Sequence, residues 1–272
     1  MATYVVGDVQ GCFKTLERLL DKINFDPQKD FLWFIGDLVN VGKNSLKALK
    51  WAYKNRDSCN LLIGNHELNL LCIAYGLAEP HDDDTLNDVL EHNKRDLWLD
   101  WIRTRPLIHE ENDYFLVHAG VHPNWSLEET RNVAKHVEEA LRGPDYLEYL
   151  TKWKKKFFKK WEEDLGEKKR VATALNIMTK MRFLDQDNHL VKNVKGELQN
   201  APEDLTPWFR LLDPSFKNKK VLFGHWSAIG VHQEKNITGL DSGAVWGRVL
   251  TAYCLETGHI SQMAAHKKDL PD

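Results

Sequence analysis

Five short segments of this 272-residue chain end an apolar run with side chains that bind metal ions. They are Gly7-Asp8-Val9-Gln10-Gly11, Gly36-Asp37, Gly64-Asn65-His66-Glu67, Val117-His118-Ala119-Gly120 and Gly224-His225-Trp226. Carboxylate, amide oxygen and imidazole in one set suit divalent cations at the hard-to-borderline end of the range. Two such ions side by side point to hydrolysis of a phosphate ester or anhydride. Asp37 is the residue to share between them, because a carboxylate has two oxygens and the charge to hold two cations close.

The elements that must position these residues are strands. Each segment follows a run that reads as buried strand: ThrTyrValValGly, PheLeuTrpPheIleGly, AsnLeuLeuIleGly, TyrPheLeuValHis and LysValLeuPheGly. Strands that end alike deliver their next residues to one edge of a sheet. The first 76 residues alternate strand and helix (3–7, 12–23, 31–36, 44–55, 59–63, 66–76), and Phe13, Leu16, Leu19, Leu20 and Ile23 keep a helical period. This is the βαβ pattern of an α/β sheet. After a polar loop at 80–84 a helical stretch is expected to about Arg103, then strands near 106–110 and 113–118. Residues 126–182 read as a helical cap, 185–206 as a long loop or irregular strands, and 219–223, 236–240, 249–255 and 259–264 as short strands joined by turns. The expectation is one α/β domain, 1–272, of two packed mixed sheets flanked by helices, with a helical cap insertion at about 126–182.

Bulk properties exclude several classes. Hydrophobic content of 42% and ten tryptophans belong to a globular chain. A net charge of −3 gives no overall basic field for DNA or a membrane surface. The four cysteines have no C-x-x-C spacing and suit buried thiols in a reducing cytosol. The first strand begins almost at Met1, leaving no room for a signal peptide, and no uncharged apolar run is long enough to span a bilayer. A cytoplasmic protein is expected.

The order Asp, Asp, Asn-His, His, His resembles the phosphoprotein phosphatase branch of the calcineurin-like metallophosphoesterases, with its GDxHG, GDxxDRG, GNHE and HAG motifs. Within that branch, MATYVVGDVQGC, GDLVN, GNHEL, VHAGVHPNW, KMRF, FGHW, LDSGAVWG and HKKDL resemble the symmetrical bis(5′-nucleosyl)-tetraphosphatase family. The resemblance implies the two-sheet fold, two divalent ions and cleavage of diadenosine tetraphosphate into two ADP by a hydroxide between the metals. It implies Asp8, Gln10 and Asp37 on one ion, and Asp37, Asn65, His118 and His225 on the other. His66 would protonate the leaving oxygen, and Arg182 in LysMetArgPhe would bind phosphate.

Gln10 stands where the broad pattern has His. An amide oxygen is harder than an imidazole nitrogen, so Mn²⁺ or Mg²⁺ is favoured over Zn²⁺, with Co²⁺ also open. Val41 stands where GDxxxRG has an arginine whose fork clamps phosphoryl oxygens. Losing one such donor lowers rate on the order of 10²–10³-fold. Lys43 is the nearest substitute charge, although it also reads as a solvated lysine starting a helix. Asn40 sits where protein phosphatases carry the Asp that orients the catalytic His. Asn40, Lys43, Arg182, Trp226, Asp241 and Trp246 are therefore the candidate phosphate- and substrate-binding groups, the two tryptophans for stacking on adenine or for core packing.

The run from Lys152 to Trp161 is the one strongly basic patch. Trp153, Phe157 and Trp161, spaced i, i+4, i+8, predict an amphipathic cap helix with lysines around an aromatic stripe. A contact of lysines 152–160 with polyphosphate or an RNA 5′ end is the other reading. Two alternatives to the tetraphosphatase reading stay open: a metallophosphoesterase for another ester or for phosphoprotein, and a nucleotide-binding relative weakened by Val41.

Overall fold

The computed structural model describes residues 1–162 and 164–271. Two five-stranded sheets carry the fold. One runs in the order β12-β11-β1-β2-β3 and contains β1 (Thr3–Val6), β2 (Phe31–Phe34), β3 (Cys59–Leu61), β11 (Val249–Cys254) and β12 (Ile260–Ala264). The other runs β4-β5-β8-β10-β9 and contains β4 (Ile108–Glu111), β5 (Tyr114–Val117), β8 (Lys220–Phe223), β9 (His232–Glu234) and β10 (Ile237–Gly239). In the first, β1, β2 and β3 are parallel and β11 and β12 antiparallel. In the second, β5, β8 and β10 are parallel, with antiparallel strands at both edges. A two-stranded pair, β6 (Phe183–Leu184) with β7 (Thr206–Pro207), lies apart.

The continuous apolar runs follow from this layering, because strands buried on both faces have no solvent side to mark with polar residues. Val5, Trp33, Ile35, Tyr114, Leu116 and Leu222 face the opposite sheet and form the core between the two. Their neighbours Val6, Phe34, Phe115, Val117, Val221 and Phe223 turn the other way, into the larger core under the helices. Around the sheets lie α1 (Phe13–Lys22), α2 (Ser45–Lys54), α3 (Asn65–Ala74), α4 (Asn87–Leu90) and α5 (Arg95–Arg103). The cap is α6 (Leu127–Arg142), α7 (Tyr146–Lys155) and α8 (Glu167–Lys180), which pack on one another, with α7 also against α3.

The chain departs from expectation in three places. The helical stretch before Arg103 is two helices, α4 and α5, separated by a turn. Strand β9 is missing from the sequence reading because His232-Gln233-Glu234 is polar, as a sheet edge permits. The aromatic stripe at 153–161 is not one helix: α7 stops at Lys155 and Lys156 is extended. Lysines three and four apart repel along a helix. Leaving the helix also lets Trp161 meet Trp125 edge-on, ring centres 4.7 Å apart, and lets Lys152 and Lys156 cover Phe158. No helix among the described residues is long and apolar enough to cross a membrane.

Candidate active site

The carboxyl ends of the parallel strands converge, which is where ligands bind in open α/β sheets. Asp8 and Gln10 follow β1, Asp37 follows β2, Asn65 follows β3, His118 follows β5 and His225 follows β8. A sixth strand end joins them, since Asp241 follows β10. One ligand atom each of Asp37, His118 and His225 lies within 4.8 Å of the others, and all three residues are buried. The His118 Nε2 is 3.4 Å from Asp37 Oδ2 and 3.3 Å from Asn65 Oδ1.

Backbone geometry makes this convergence possible. Gln10, Asp37 and His225 all adopt positive φ (45°, 48° and 65°), a conformation L-residues take up rarely. The preceding glycines have a steric reason. A Cβ on Gly36 would lie 2.2 Å from His118 Nδ1, and one on Gly224 would lie 2.2 Å from Asp8 Oδ1. Only glycine lets these strands approach so closely.

The donor atoms fit a pair of divalent cations. His118 Nδ1 lies 2.9 Å from the Ile35 carbonyl, so this ring offers Nε2 to the centre, as orienting bonds of metal-binding histidines do. The buried His225 Nε2 has no hydrogen-bond partner among the described residues, as suits an atom waiting for a cation. Burial, together with Asp241 and Asp37, pushes the Asp8 carboxyl well up, and burial raises Asp241 to about 6. Burial also acts to raise Asp37, but the His118 and His66 imidazoles outweigh it and hold that carboxyl at about 2. Three buried carboxylates this close call for positive charge between them.

His66 is held by a chain of polar groups. The Asn40 Nδ2 donates to His66 Nδ1 at 3.0 Å and to Asp84 Oδ1 at 2.6 Å. Asn40 Oδ1 accepts the Val41 and Thr85 backbone N–H groups, which fixes the amide orientation. With Nδ1 accepting, the neutral His66 ring carries its proton on Nε2, the nitrogen facing Asp37 at 3.8 Å. Asn40 thus orients His66 and does not line the cavity. Glu67 is buried at the N-terminus of α3, and its carboxylate accepts the N–H groups of Gly64, Asp37 and Leu38 at 3.0, 2.8 and 2.8 Å. Burial, then Asp37, raises it to about 7. The sequence reading gave no role to Glu67 or Asp84. A Glu three residues after Gly64 at a helix start was the available signal for the first, and nothing local marks the second.

A cavity of about 520 Å³ opens beside the centre, lined on one side by Gln10, Asp37, Asn65, His66, His225 and Asp241. The facing wall is basic, with Lys154, Lys155, Lys180, Lys192 and Lys195. Between the walls, Arg182 is half-buried, donates to the His225 carbonyl at 2.9 Å, and keeps its buried Nε without a partner among the described residues. Burial, with Lys154 and Lys192 nearby, pushes the Lys180 ammonium down to about 7. Val41 and Lys43 do not line the cavity, and Lys43 is exposed. Lys43 therefore does not take the place of an arginine fork. Asp241, buried at the end of β10, lines the same cavity. Trp226 is 2% exposed, edge-on to Phe183, and donates to the Gly196 carbonyl, so it is wall and not a stacking surface. Trp246, 58% exposed at the cavity rim, keeps an open face.

The family model described as calcineurin-like phosphoesterase matches residues 1–226. The chain is 41% identical over 256 residues to a protein of Chromobacterium violaceum named symmetrical bis(5′-nucleosyl)-tetraphosphatase, covering 94% of this chain and 92% of that one. This chain belongs to the calcineurin-like phosphoesterase family. A like-named protein of Methylobacillus flagellatus is 40% identical over 269 residues, covering 99% of this chain and 97% of its own. These relatives put it in the symmetrical bis(5′-nucleosyl)-tetraphosphatase branch of the phosphoesterases, and it is a hydrolase. A crystal structure presented provisionally as a diadenosine tetraphosphatase shares the phosphoesterase fold at TM-score 0.66 and 19% identity, over 98% of this chain and 94% of the other. A serine/threonine phosphatase from Saccharomyces cerevisiae shares it at TM-score 0.56 and 14% identity, covering 98% and 81%.

Proposed function

We propose that this phosphoesterase uses two divalent ions to cleave diadenosine 5′,5′-tetraphosphate between its two central phosphates, releasing two ADP. The observation that carries the reading is the cavity's two-sided charge. Metal-binding donors occupy one wall and lysines the other, a length of complementary charge that suits a polyphosphate chain better than a single phosphate. Asp8, Gln10 and Asp37 would hold one ion, and Asp37, Asn65, His118 and His225 the other. Mn²⁺ is the metal we favour, because oxygen donors outnumber nitrogens in this set. When bound, such a pair supplies a water acidic enough to attack phosphorus at neutral pH and neutralises charge on the phosphoryl oxygens.

The remaining steps belong to the chain. Arg182 points its unpartnered Nε at the phosphoryl group, His66 gives its Nε2 proton to the leaving oxygen, and Asn40 with Asp84 holds that ring in the donating tautomer. Trp246 offers its exposed ring to an adenine. An RNA with a 5′ polyphosphate would meet the lysines of the 152–160 run that reach the cavity, Lys154 and Lys155. We read residues 126–182 as a cap inserted in a single domain. The four free, buried cysteines support a cytoplasmic setting.

The test is product analysis with Mn²⁺-loaded protein. ADP as the sole nucleotide product is the expected result. ATP with AMP would overturn the symmetrical cut, and faster turnover of a phosphopeptide or of p-nitrophenyl phosphate would overturn the substrate class. Binding without turnover would make this chain a nucleotide-binding relative.

A further inference from the structure

Surface lysines and cavity lysines of this protein differ in their partners. On the outer surface Lys160, Lys219 and Lys220 pair with Glu162, Glu110 and Asp113. On the cap wall of the cavity the pattern reverses. Among the described residues Lys180 has no carboxylate partner, and its ammonium lies 3.6 Å from the centre of the Trp153 ring. Among the described residues the Lys154 ammonium donates only to the neutral amide oxygen of Asn69, at 2.6 Å.

Beneath these cations are neutral groups with unmet hydrogen bonds. Asn176 lies one helical turn before Lys180 on α8, so the two share a face, and both line the cavity. Asn176 is fully buried, and neither its Oδ1 nor its Nδ2 has a partner. The Trp153 indole N–H, also buried, has none. Buried polar atoms are nearly always bonded, and an unbonded one is destabilising until something bonds it. Two such side chains beside an uncompensated ammonium, all facing one cavity, describe a place for an anion with several oxygens.

We propose that Asn176, Lys180 and Trp153, with Lys154 at the rim, form a cap subsite that grips the phosphates beyond the one attacked at the metal centre. Lys180 and Lys154 supply charge, the Trp153 N–H and Asn176 Nδ2 donate to non-bridging oxygens, and the Asn176 carbonyl accepts the ammonium drawn in beside the phosphate. The cap then selects a chain of phosphates over a single one. This assignment rests on the proposed polyphosphate substrate but can fail or stand apart from it.

The experiment follows p-nitrophenyl phosphate hydrolysis in excess Mn²⁺ and measures inhibition by ADP, which can reach both places, and by inorganic phosphate, which needs only the metals. Lys180→Met keeps an apolar stem against Trp153 while removing the charge. It should raise the inhibition constant for ADP at least tenfold more than that for phosphate. Equal rises, or no rise for ADP, would overturn the subsite. Asn176→Leu should also weaken ADP selectively, yet raise Tm by about 2–4 °C, because it removes an unbonded polar group from the interior. A lower Tm with unchanged ADP inhibition would make Asn176 a structural residue and remove it from the subsite. Should the wild type not yield two ADP from diadenosine tetraphosphate, the proposed function fails, while the ADP-to-phosphate ratio still decides the cap subsite.

Discussion

Along the sheet edge, Asp37, Asn65, His118 and His225 each sit one to four residues past the end of a strand. Across the cavity, Asn176 and Lys180 lie within helix α8, and Lys192 and Lys195 lie in a segment without regular structure. The first wall is held by backbone: positive φ angles, glycines with no room for a Cβ, and the Glu67 carboxylate bonding four N–H groups. The second is held by side-chain packing of a cap whose cavity-facing Lys154 and Lys180 have no carboxylate partner among the described residues. A metal centre needs fixed donors at short distances. A grip on a flexible phosphate chain needs charge more than precision.

The strand-end wall is where the comparison is most exposed, so the largest effect is expected there. Asp37→Asn should lower kcat/KM for diadenosine tetraphosphate by on the order of 10³-fold or more, since an amide cannot supply the shared negative charge. Steady-state assays at saturating Mn²⁺ would show it, and a loss below tenfold would break the claim that this wall does the chemistry.

His66→Ala should reduce kcat by roughly 10²–10⁴-fold with metal content intact, and the deficit should shrink for substrates whose leaving group needs no proton. An equal deficit on p-nitrophenyl phosphate and on diadenosine tetraphosphate would remove His66 as proton donor.

Asp84 sharpens the comparison, because it reaches the sheet edge from a loop that the strands do not position. Asp84→Ala frees one side of Asn40 and should cost kcat about tenfold with KM little changed. Asp84→Asn keeps an acceptor for the Asn40 amide and should recover most of the loss. A KM effect without a kcat effect would assign Asp84 to substrate binding.

Val41 and Lys43 should give the smallest effects, since neither lines the cavity. Lys43→Ala should leave kcat/KM within about twofold, as for an exposed charge. Val41 is a β-branched residue at φ 63°, so Val41→Gly should relieve strain. The gain should be about 1 kcal/mol net of glycine's backbone entropy, read as a higher Tm in thermal melts.

Much of the strand-end wall was legible because strand periodicity is local: five apolar runs, each closed by a ligand, announce one sheet edge. The sixth, β10 with Asp241, lacks that signature because Gly239 and Leu240 stand between the strand and its carboxylate. The cap wall was far less legible. The i, i+4, i+8 aromatic spacing predicted a helix through Trp161, but lysine repulsion and the burial of Phe158 and Trp161 end it at Lys155. Asn176 carries no motif, and Lys180 opens LysMetArgPhe, where the resemblance gives a role only to Arg182. Their place at the cavity depends on how α8 packs against α7, which no local pattern encodes.

The central claim is a dinuclear centre built at the strand ends around Asp37. Metal content per chain, measured after Mn²⁺ loading and removal of free metal, tests it most directly. The account predicts two ions in the wild type and a clear loss from both positions in Asp37→Asn. One ion in the wild type, or two ions still held by Asp37→Asn at wild-type affinity, would contradict it.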